Sequence, residues 1–309
     1  MILISTCLRR YDCVIREEEL TVKVEWVSLS GENITDIADL AQRCMRRDGG
    51  LQATASRAFL ERRYAGSTVK AVGAFRGGHL LACGAVRPLT GSSVVVGLVD
   101  PAYRGRGLGS KLFDRLLDVA KERSERLQVE TESLTQEAHE LFRSRGFERV
   151  FAEDVYRCDL TDPLPQVPLL RDVEVEEWKE SNQGAFYDAY RASFEDRPGF
   201  PGWSQAQWVE WLVDETFLPQ CSLVAKTGNG MPIGFVTCAQ EFLVQVGTVP
   251  EWRQRGLGRG LAIAALERMR VSGSTEVFLD INVNNPASAA LFQGLGFSVI
   301  ARRARYEQR

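Results

Sequence analysis

The stretch that decides the fold is residues 94–109, VVVGLVDPAYRGRGLG, in which a β-branched run leads through a proline into an arginine- and glycine-rich turn. The pattern recurs at residues 243–258, LVQVGTVPEWRQRGLG, at an offset of 149. Further along, Gly146-Phe147 recurs as Gly296-Phe297 at an offset of 150. Several landmarks in one register across half the chain indicate a duplicated domain.

The length of 309 residues suits two domains of roughly 150 residues each. The segment 161–168, TDPLPQVP, holds three prolines and cannot continue a helix or a central strand, so it marks the boundary. We therefore predict an N-terminal extension at 1–21, a first domain at 22–160, a linker at 161–168 and a second domain at 169–309.

Each copy shows the same order of elements. The hydrophobic pattern predicts strands at 94–99 and 242–248, each followed by a helix, at 107–121 and 256–269. At the end of the first copy, it predicts a pair of strands within 148–158. The fold class expected for each domain is α/β, with a mixed, mostly antiparallel, twisted sheet flanked by helices.

Composition narrows the function classes. A net charge of −3 provides no global field for a nucleic-acid backbone, and no apolar run approaches the ~20 residues of a membrane span. Seven scattered cysteines without a CxxC pair are typical of reduced thiols in the cytoplasm. Only two histidines occur, which excludes a multi-histidine metal centre. We expect a cytoplasmic protein with no metal, no membrane and no nucleic-acid partner.

The repeated turn predicts an anion site. A strand feeds a glycine turn that opens a helix, so that unpaired N–H groups and the positive end of the helix dipole face one point, and the arginines add charge. Such a nest suits a pyrophosphate. It does not match the Walker pattern, since no Gly-Lys-Ser/Thr follows, nor the full dinucleotide fingerprint.

Both segments resemble motif A of the GNAT superfamily, the GCN5-related N-acyltransferases, in which Arg/Gln-x-x-Gly-x-Gly/Ala binds the pyrophosphate of acetyl-CoA. Leu279, Ile281, Asn285, Leu291-Phe292 and Gly296-Phe297 match the downstream pattern in the second copy. The resemblance covers the whole chain as two tandem domains, and segment 192–207 is similar to the mycothiol synthase subfamily. It implies acetyl-CoA or another acyl-CoA as co-substrate, a small-molecule amine as acceptor, and a monomer or homodimer.

The resemblance also implies which residues hold CoA. In the second domain they are Val246, Gly247, Thr248, Arg253, Gln254, Arg255, Gly256, Leu257, Gly258, Arg259, Asn285 and Phe292. In the first domain they are Leu98, Val99, Arg104, Gly105, Arg106, Gly107, Leu108 and Gly109.

Departures from the family pattern bear on the general acid. Many members carry a tyrosine on the last helix that protonates the departing thiolate, whereas this chain has Phe142 and Phe292 there. Tyr306 in the last strand is a candidate acid instead, and its plainer interpretation is an ordinary strand aromatic. Asn285 has a plainer interpretation too, as a helix cap.

The general base usually lies on the strand before the motif. There the second copy has Glu241, one residue off the even spacing, which a β-bulge would correct. A solvated residue at a strand start is the plainer alternative. The first copy has Ser92 and Ser93 in that region and no acid. We therefore expect catalysis in the second domain and a degenerate first domain.

The function predicted is direct transfer of an acetyl or related acyl group from CoA to a primary amine. Two alternatives stay open: a non-catalytic acyl-CoA-binding or scaffold protein, and a GNAT-fold enzyme with another donor such as an aminoacyl-tRNA. Trp203, Trp208 and Trp211 are candidates for an acceptor pocket, although helical spacing places Trp208 and Trp211 more often in a core.

Overall fold

The computed structural model describes residues 23–122, 126–162, 164–165, 170, 172–197 and 199–308. The predicted extension at 1–21 lies outside the described residues, as does half of the predicted linker. Within the part of the chain that is described, no helix is long and apolar enough to cross a membrane.

The first half contains six strands and four α-helices among its described residues. In chain order they are β1 (Glu25–Leu29), α1 (Ile34–Asp48), α2 (Arg57–Tyr64), β2 (Lys70–Arg76), β3 (His79–Leu89), β4 (Ser92–Val99), α3 (Leu108–Lys121), β5 (Leu127–Thr131), α4 (Gln136–Ser144) and β6 (Phe147–Asp159). The prediction of a strand pair within 148–158 is wrong, because β6 is one strand of 13 residues.

The second half repeats this order. Its elements are β7 (Val173–Glu177), α5 (Gln183–Phe194), α6 (Gln205–Leu212), β8 (Leu223–Thr227), β9 (Pro232–Ala239), β10 (Phe242–Thr248), α7 (Leu257–Val271), β11 (Glu276–Asn282), α8 (Pro286–Gln293) and β12 (Ser298–Gln308). The strand predicted at 242–248 is confirmed, and the helix predicted at 256–269 is confirmed within two residues.

The twelve strands of the described residues join one sheet, in the order β1-β2-β3-β4-β5-β12-β6-β11-β10-β9-β8-β7. The two halves exchange their last strands: β12 pairs with β5 of the first half, and β6 pairs with β11 of the second. In the central pair, Arg303 lies opposite Glu153, its own counterpart at an offset of 150. A pseudo-twofold axis therefore passes between β6 and β12. The predicted α/β class is confirmed, with a sheet that both halves share.

Helices cover both faces of this sheet, because each strand alternates its side chains between the faces. One face, called here the α3/α7 face, carries these two helices with their hydrophobic cores. The opposite face, called the α1/α5 face, carries α1 and α2 in the first half and α5 and α6 in the second. The α5–α6 core is aromatic, with Trp208 and Phe235 fully buried.

The parallel strands in the middle of each half diverge. In the first half, β4 and β5 pair only from Ser93 to Val95. In the second half, β10 and β11 pair only at Phe242 and Phe278. Beyond these pairs each half has a wedge-shaped gap in the sheet, whose edges carry main-chain groups that no neighbouring strand satisfies across the gap. The strands β4 and β10, which border the gaps, lead along the chain into the glycine turns before α3 and α7.

Candidate active site

The glycine turn of the second half ends at Gly256, the residue before α7. Gly256 has φ +84°, a left-handed conformation that favours glycine, and a Cβ added there would meet no atom within 4 Å. Gly107 stands before α3 in the same way, with φ +75°. Each turn thus presents the free N–H groups of a helix start to open space, as an anion site requires.

The leading arginine of the turn differs between the halves. In the first half, the guanidinium of Arg104 donates to both carboxylate oxygens of Asp48, at 2.7 and 2.5 Å. In the second half, Arg253 donates to two main-chain carbonyls, Thr248 O at 3.2 Å and Ser193 O at 3.0 Å. Arg253 forms no ion pair within the described residues. Its positive charge therefore stays available to an anion, whereas that of Arg104 is neutralised.

The wedge of the second half leads into a cavity of about 440 Å³. Its two sheet edges come from β10 and β11, and Asn285, Ser288 and Phe292 border it at α8. A wall of aromatic side chains closes the α1/α5 face, and it consists of Tyr190, Phe194, Phe200, Trp203 and Trp211. The gap between the strands and the space under the aromatic wall form one continuous cavity.

A β-bulge shapes the β10 edge of this cavity. The register against β9 shifts between Leu243 and Gln245, so that both Val244 and Gln245 lie on the α1/α5 face. The side-chain oxygen of Gln245 accepts a hydrogen bond of 3.1 Å from the indole nitrogen of Trp208. A bulge was predicted in order to bring Glu241 into register; a bulge is present, but Glu241 lies outside β10.

Three charged side chains meet where the cavity reaches the pseudo-twofold axis. Arg303 on β12 donates to Asp280 on β11, and at 3.1 Å to Glu153 on β6. Asp280 and Glu153 both line the cavity. Burial raises the pKa of the Asp280 carboxyl to about 6, against the opposing attraction of Arg303. Its Oδ1 is buried and has no hydrogen-bond partner within the described part of the chain.

Arg197 provides positive charge on the other side of this cavity, in the segment after α5. Its guanidinium lies over the ring of Phe194, with 4.1 Å between Cζ and the ring centroid. Burial lowers the pKa of Arg197, and repulsion from Arg253 lowers it further. An anionic group in the cavity would relieve that repulsion.

The first half has a cavity of its own, of about 420 Å³, in its own wedge. Its counterpart of Asp280 at an offset of 150 is Glu130, which also lines the cavity. Glu130 accepts a hydrogen bond of 2.6 Å from Arg87 and lies 3.5 Å from Arg63. Two arginines therefore neutralise this carboxylate, and Arg63 also pairs with Glu132.

The two predicted catalytic residues lie apart. Glu241 is exposed in the turn between β9 and β10, with φ +58°, and its carbonyl accepts a hydrogen bond from Phe278 N at 2.8 Å. Tyr306 is fully buried in the first half, because β12 is the exchanged strand. Its hydroxyl lies 2.6 Å from Nδ1 of His139, and its ring packs on Phe142. Their catalytic roles stay predictions.

Part of the predicted CoA set lines the two cavities, and the predicted residues 247–248 and 253–259 are not among those that line the second. Val246, Asn285 and Phe292 line the cavity of the second half, and Leu98, Val99, Arg104, Gly105, Gly107 and Gly109 line that of the first. Asn285 also caps α8, since its side chain accepts from Ser288 N at 3.2 Å. Trp203 and Trp211 line the cavity, whereas Trp208 is buried beside it. CoA contacts by these residues stay a prediction.

Sequence reasoning missed Asp280, Glu153 and Arg303. One signal was present: Asp280 interrupts the apolar run Val277-Phe278-Leu279 of β11. Its partners come from β6 and β12, which lie next to β11 and next to each other only because the halves exchange strands. Nothing in the local pattern of either segment indicates that exchange.

The sequence is similar to known proteins over most of its length. The sequence model of the family described as Acetyltransferase (GNAT) family matches the chain twice, at residues 34–147 and 175–297. A mycothiol acetyltransferase of Thermobispora bispora is 26% identical over 90% of this chain and 97% of its own. One from Frankia alni is 26% identical over 94% and 96%.

Solved structures show the same fold. A GCN5-related N-acetyltransferase from Sphaerobacter thermophilus has a TM-score of 0.71 at 20% identity, covering 92% of this chain and 95% of its own. A tandem GNAT protein from the clavulanic acid biosynthesis pathway has a TM-score of 0.57 at 17% identity, covering 92% and 98%.

Proposed function

Because the chain belongs to the GNAT family and is an N-acetyltransferase, we propose that its second half moves an acetyl or related acyl group from CoA to the primary amine of a small molecule. The observation that carries this proposal is the second-half wedge between β10 and β11, which continues into the cavity under the aromatic wall, while β10 leads along the chain to the glycine turn at Gly256. A donor in the wedge and an acceptor in the cavity would meet at the edges of β10 and β11.

The residues at this site fit CoA. The free N–H groups at the start of α7 and the uncompensated charge of Arg253 suit a pyrophosphate. The open edge of β10 offers main-chain groups to an extended amide-containing arm, as an added strand would use them. CoA would supply the activated acyl thioester. Positioning of the two reactants is then the main contribution of the protein.

The two halves differ in what they offer to this reaction. Among the described residues of the second half, the leading arginine pairs with no carboxylate, and Asp280 has an oxygen without a hydrogen-bond partner. In the first half Arg104 is paired with Asp48, and two arginines lie close to the carboxylate of Glu130. This contrast supports catalysis in the second half and leaves CoA binding as the most that we propose for the first.

The acceptor that we propose is a small polar amine. Asp280, Glu153 and Asn282 offer oxygen acceptors to an ammonium group, and Trp203 and Trp211 offer aromatic surface to its body. Relatives named mycothiol acetyltransferase make desacetylmycothiol the first acceptor to test. The cytoplasmic location and the state of monomer or homodimer stay predictions.

Calorimetric titration with acetyl-CoA tests the donor site. Gly256→Val forces a β-branched residue into a left-handed turn and fills the space where a pyrophosphate would lie, so we expect binding to the second half to weaken at least tenfold. Gly107→Val tests the first half in the same way. Gly230→Val is the matched control, because Gly230 has φ +84° and open surroundings in the remote hairpin between β8 and β9.

A second assay separates an enzyme from an acyl-CoA-binding protein. Release of free CoA thiol is measured with acetyl-CoA and three amines: desacetylmycothiol, D-glucosamine and spermidine. Turnover that Gly256→Val abolishes supports the proposal. Binding without turnover would favour the alternative of an acyl-CoA-binding scaffold, in line with Phe142 and Phe292 at the positions where many relatives carry the tyrosine acid.

A further inference from the structure

The position of Asp280 points to a chemical role that its neighbours on β11 do not share. Along β11, Leu279 and Ile281 pack into the core under α7, so Asp280 between them faces the α1/α5 face. It lies on the edge of β11 that borders the gap, and it lines the same cavity as Gln245 and Val246 on β10. A carboxylate here stands between the donor wedge and the aromatic wall.

The hydrogen bonding of Asp280 is incomplete. Arg303 holds Oδ2, while Oδ1 is buried and has no partner among the described atoms. A buried polar atom left unpaired is costly unless a ligand completes it. An ammonium group in the cavity is a donor of the right charge, and it would satisfy Oδ1 while Arg303 keeps the carboxylate in place.

From this placement we propose that Asp280 is the general base of the transfer, accepting a proton from the acceptor's ammonium group, and that Arg303 is its positioning residue. The inference rests on the proposed function. It assigns the base to β11, in place of the Glu241 candidate in the β9–β10 turn.

The step balances as follows. The ammonium gives one proton to Asp280, which passes it to solvent. The freed lone pair of nitrogen forms the N–C bond to the acyl carbon, and the C–S bond breaks with its electron pair left on sulfur. The second proton lost by nitrogen reaches the thiolate through water. The products are the N-acyl amine, CoA thiol and one proton.

The groups that face Asp280 set its protonation. Arg303 on β12 attracts the charged form, while Glu153 on β6 and Glu132 after β5 repel it. Arg197 and Tyr190 face it across the cavity from the α5 side. Burial outweighs the attraction of Arg303, so the pKa of Asp280 is raised to about 6. A base with such a pKa is ionised at pH 7.5 and still close enough to neutrality to accept a proton.

The repeat provides an internal comparison. Glu130 occupies the corresponding place on β5, but Arg87 and Arg63 both approach it. Two arginines hold Glu130, whereas Oδ1 of Asp280 has no hydrogen-bond partner among the described atoms. The asymmetry around the pseudo-twofold axis therefore leaves one carboxylate, Asp280, suited to proton transfer.

The test is the pH dependence of kcat/KM between pH 5 and 9, with the amine of the three-amine panel that turns over fastest. For Asp280→Asn we expect kcat to fall by about 10²–10⁴-fold, with the KM for acetyl-CoA within threefold of that of the wild type. The acid limb near pH 6 should disappear. Retention of more than a tenth of the wild-type kcat, or an unchanged acid limb, would overturn the proposal.

Asp154→Asn is the matched control. Asp154 is a carboxylate as buried as Asp280, on the neighbouring strand β6, and it pairs with Arg302 of β12 at 2.6 and 2.9 Å. It lies on the opposite face of the sheet, where the cavity does not reach. We expect activity within threefold of the wild type and an intact acid limb. A loss equal to that of Asp280→Asn would show that the damage comes from the broken ion pair.

Arg303→Met tests whether Arg303 acts on the ionisation of Asp280 or only supports the fold. Removing the attraction of Arg303 raises the pKa of Asp280, so the acid limb should move to higher pH, a shift that a structural role would not produce. An unmoved limb in a folded variant contradicts the assigned role of Arg303.

One measurement needs no acceptor. Carboxyl ¹³C NMR of aspartate-labelled protein, assigned with Asp280→Asn, should show Asp280 titrating near pH 6 with acetyl-CoA present. Titration below pH 4.5 would overturn the proposal. If acetyl-CoA binds and none of the three amines turns over while Asp280 titrates near 6, the proposed function has failed, whereas the ionisation on which the base assignment depends still stands.

Discussion

Gln254 is held in the left-handed conformation, with φ +60°, at the position where the first half has Gly105 with φ +73°. For a residue with a Cβ, this conformation costs about 1–2 kcal/mol. The turn persists because Arg253 before it and α7 after it fix the chain on both sides. The left-handed conformation is therefore present at Gln254, although glycine adopts it more readily.

We predict that Gly105→Gln lowers the free energy of unfolding by about 1 kcal/mol, and that Gln254→Gly raises it by about 0.5 kcal/mol after the entropy of glycine in the unfolded chain is counted. Urea unfolding of the two variants measures both. Opposite signs in the two halves are the diagnostic result, and a loss in both variants would rule out backbone strain as the cause.

Asp280 makes stability depend on pH in a direction that is unusual for a carboxylate. Its pKa is about 6 in the fold, above the ordinary value of 3.8, so the folded protein binds the proton more tightly than the unfolded chain does. Stability from this group is complete below pH 3.8 and is lost as the pH rises through 6. Two units correspond to about 3 kcal/mol.

We therefore predict that Asp280→Asn removes this component. The difference in unfolding free energy between the variant and the wild type should shift in favour of the variant by up to about 3 kcal/mol between pH 4 and pH 7. Chemical unfolding at the two pH values measures it. A difference that does not change with pH would mean that the carboxyl titrates normally.

At the scale of elements, β10 sits closer to α5 than any side chain on Gly247 would allow. A Cβ there would lie 2.4 Å from Cε1 of Phe235 and 2.8 Å from Cβ of Ser193. Arg253 ties the same place together, because it donates to the carbonyl of Ser193. The helix end, the strand and the glycine turn are therefore one rigid unit at the edge of the wedge.

We predict that Gly247→Ala destabilises the fold by about 1–3 kcal/mol, because Phe235 and α5 must move. Gly97→Ala in β4, the corresponding strand of the first half, is the control, since the nearest atoms to its Cβ would lie at 3.4 Å. Thermal unfolding of both variants measures the contrast. Equal losses would mean that intrinsic glycine effects, and not this contact, determine the result.

Local elements were predictable because their signals are local. The strand 242–248 and the helix after it follow from alternation, the proline and the glycine turn. The ion pairs of Asp280, Glu153 and Arg303 were not predictable, because they join three strands distant in sequence. Tyr306 illustrates the same limit: its strand was expected beside the second-half site, and exchange carries it to Phe142 of the first half.

At the scale of the molecule, the shared sheet couples the two halves. Both β6 and β12 lie in the centre of the sheet order, and each contributes to the opposite half. Tyr306 and Ala304 of the last strand belong to the core under α3 in the first half. Tyr156 and Cys158 of β6 belong to the core under α7 in the second. Neither half has a complete core of its own.

We predict that the halves unfold as one unit. Leu112→Ala removes a buried side chain of α3 and should cost about 2–5 kcal/mol. Hydrogen exchange should then accelerate by the same factor in peptides of β3 and of β9, under conditions of global opening. Leu89→Ala, at a side chain 49% exposed, is the control. Acceleration confined to β3 would mean that each half unfolds independently.

The exchange of last strands also bears on how such a chain could arise and diverge. A chain with one repeat would have an unfilled place in its sheet, which only the last strand of a second copy could occupy, so its complete form would be a domain-swapped pair. Joining two copies in one gene makes that pairing independent of protein concentration. It also lets the two copies take different roles. One copy can have its reactive carboxylate neutralised by two arginines and still be required, because its last strand completes the sheet of the other copy.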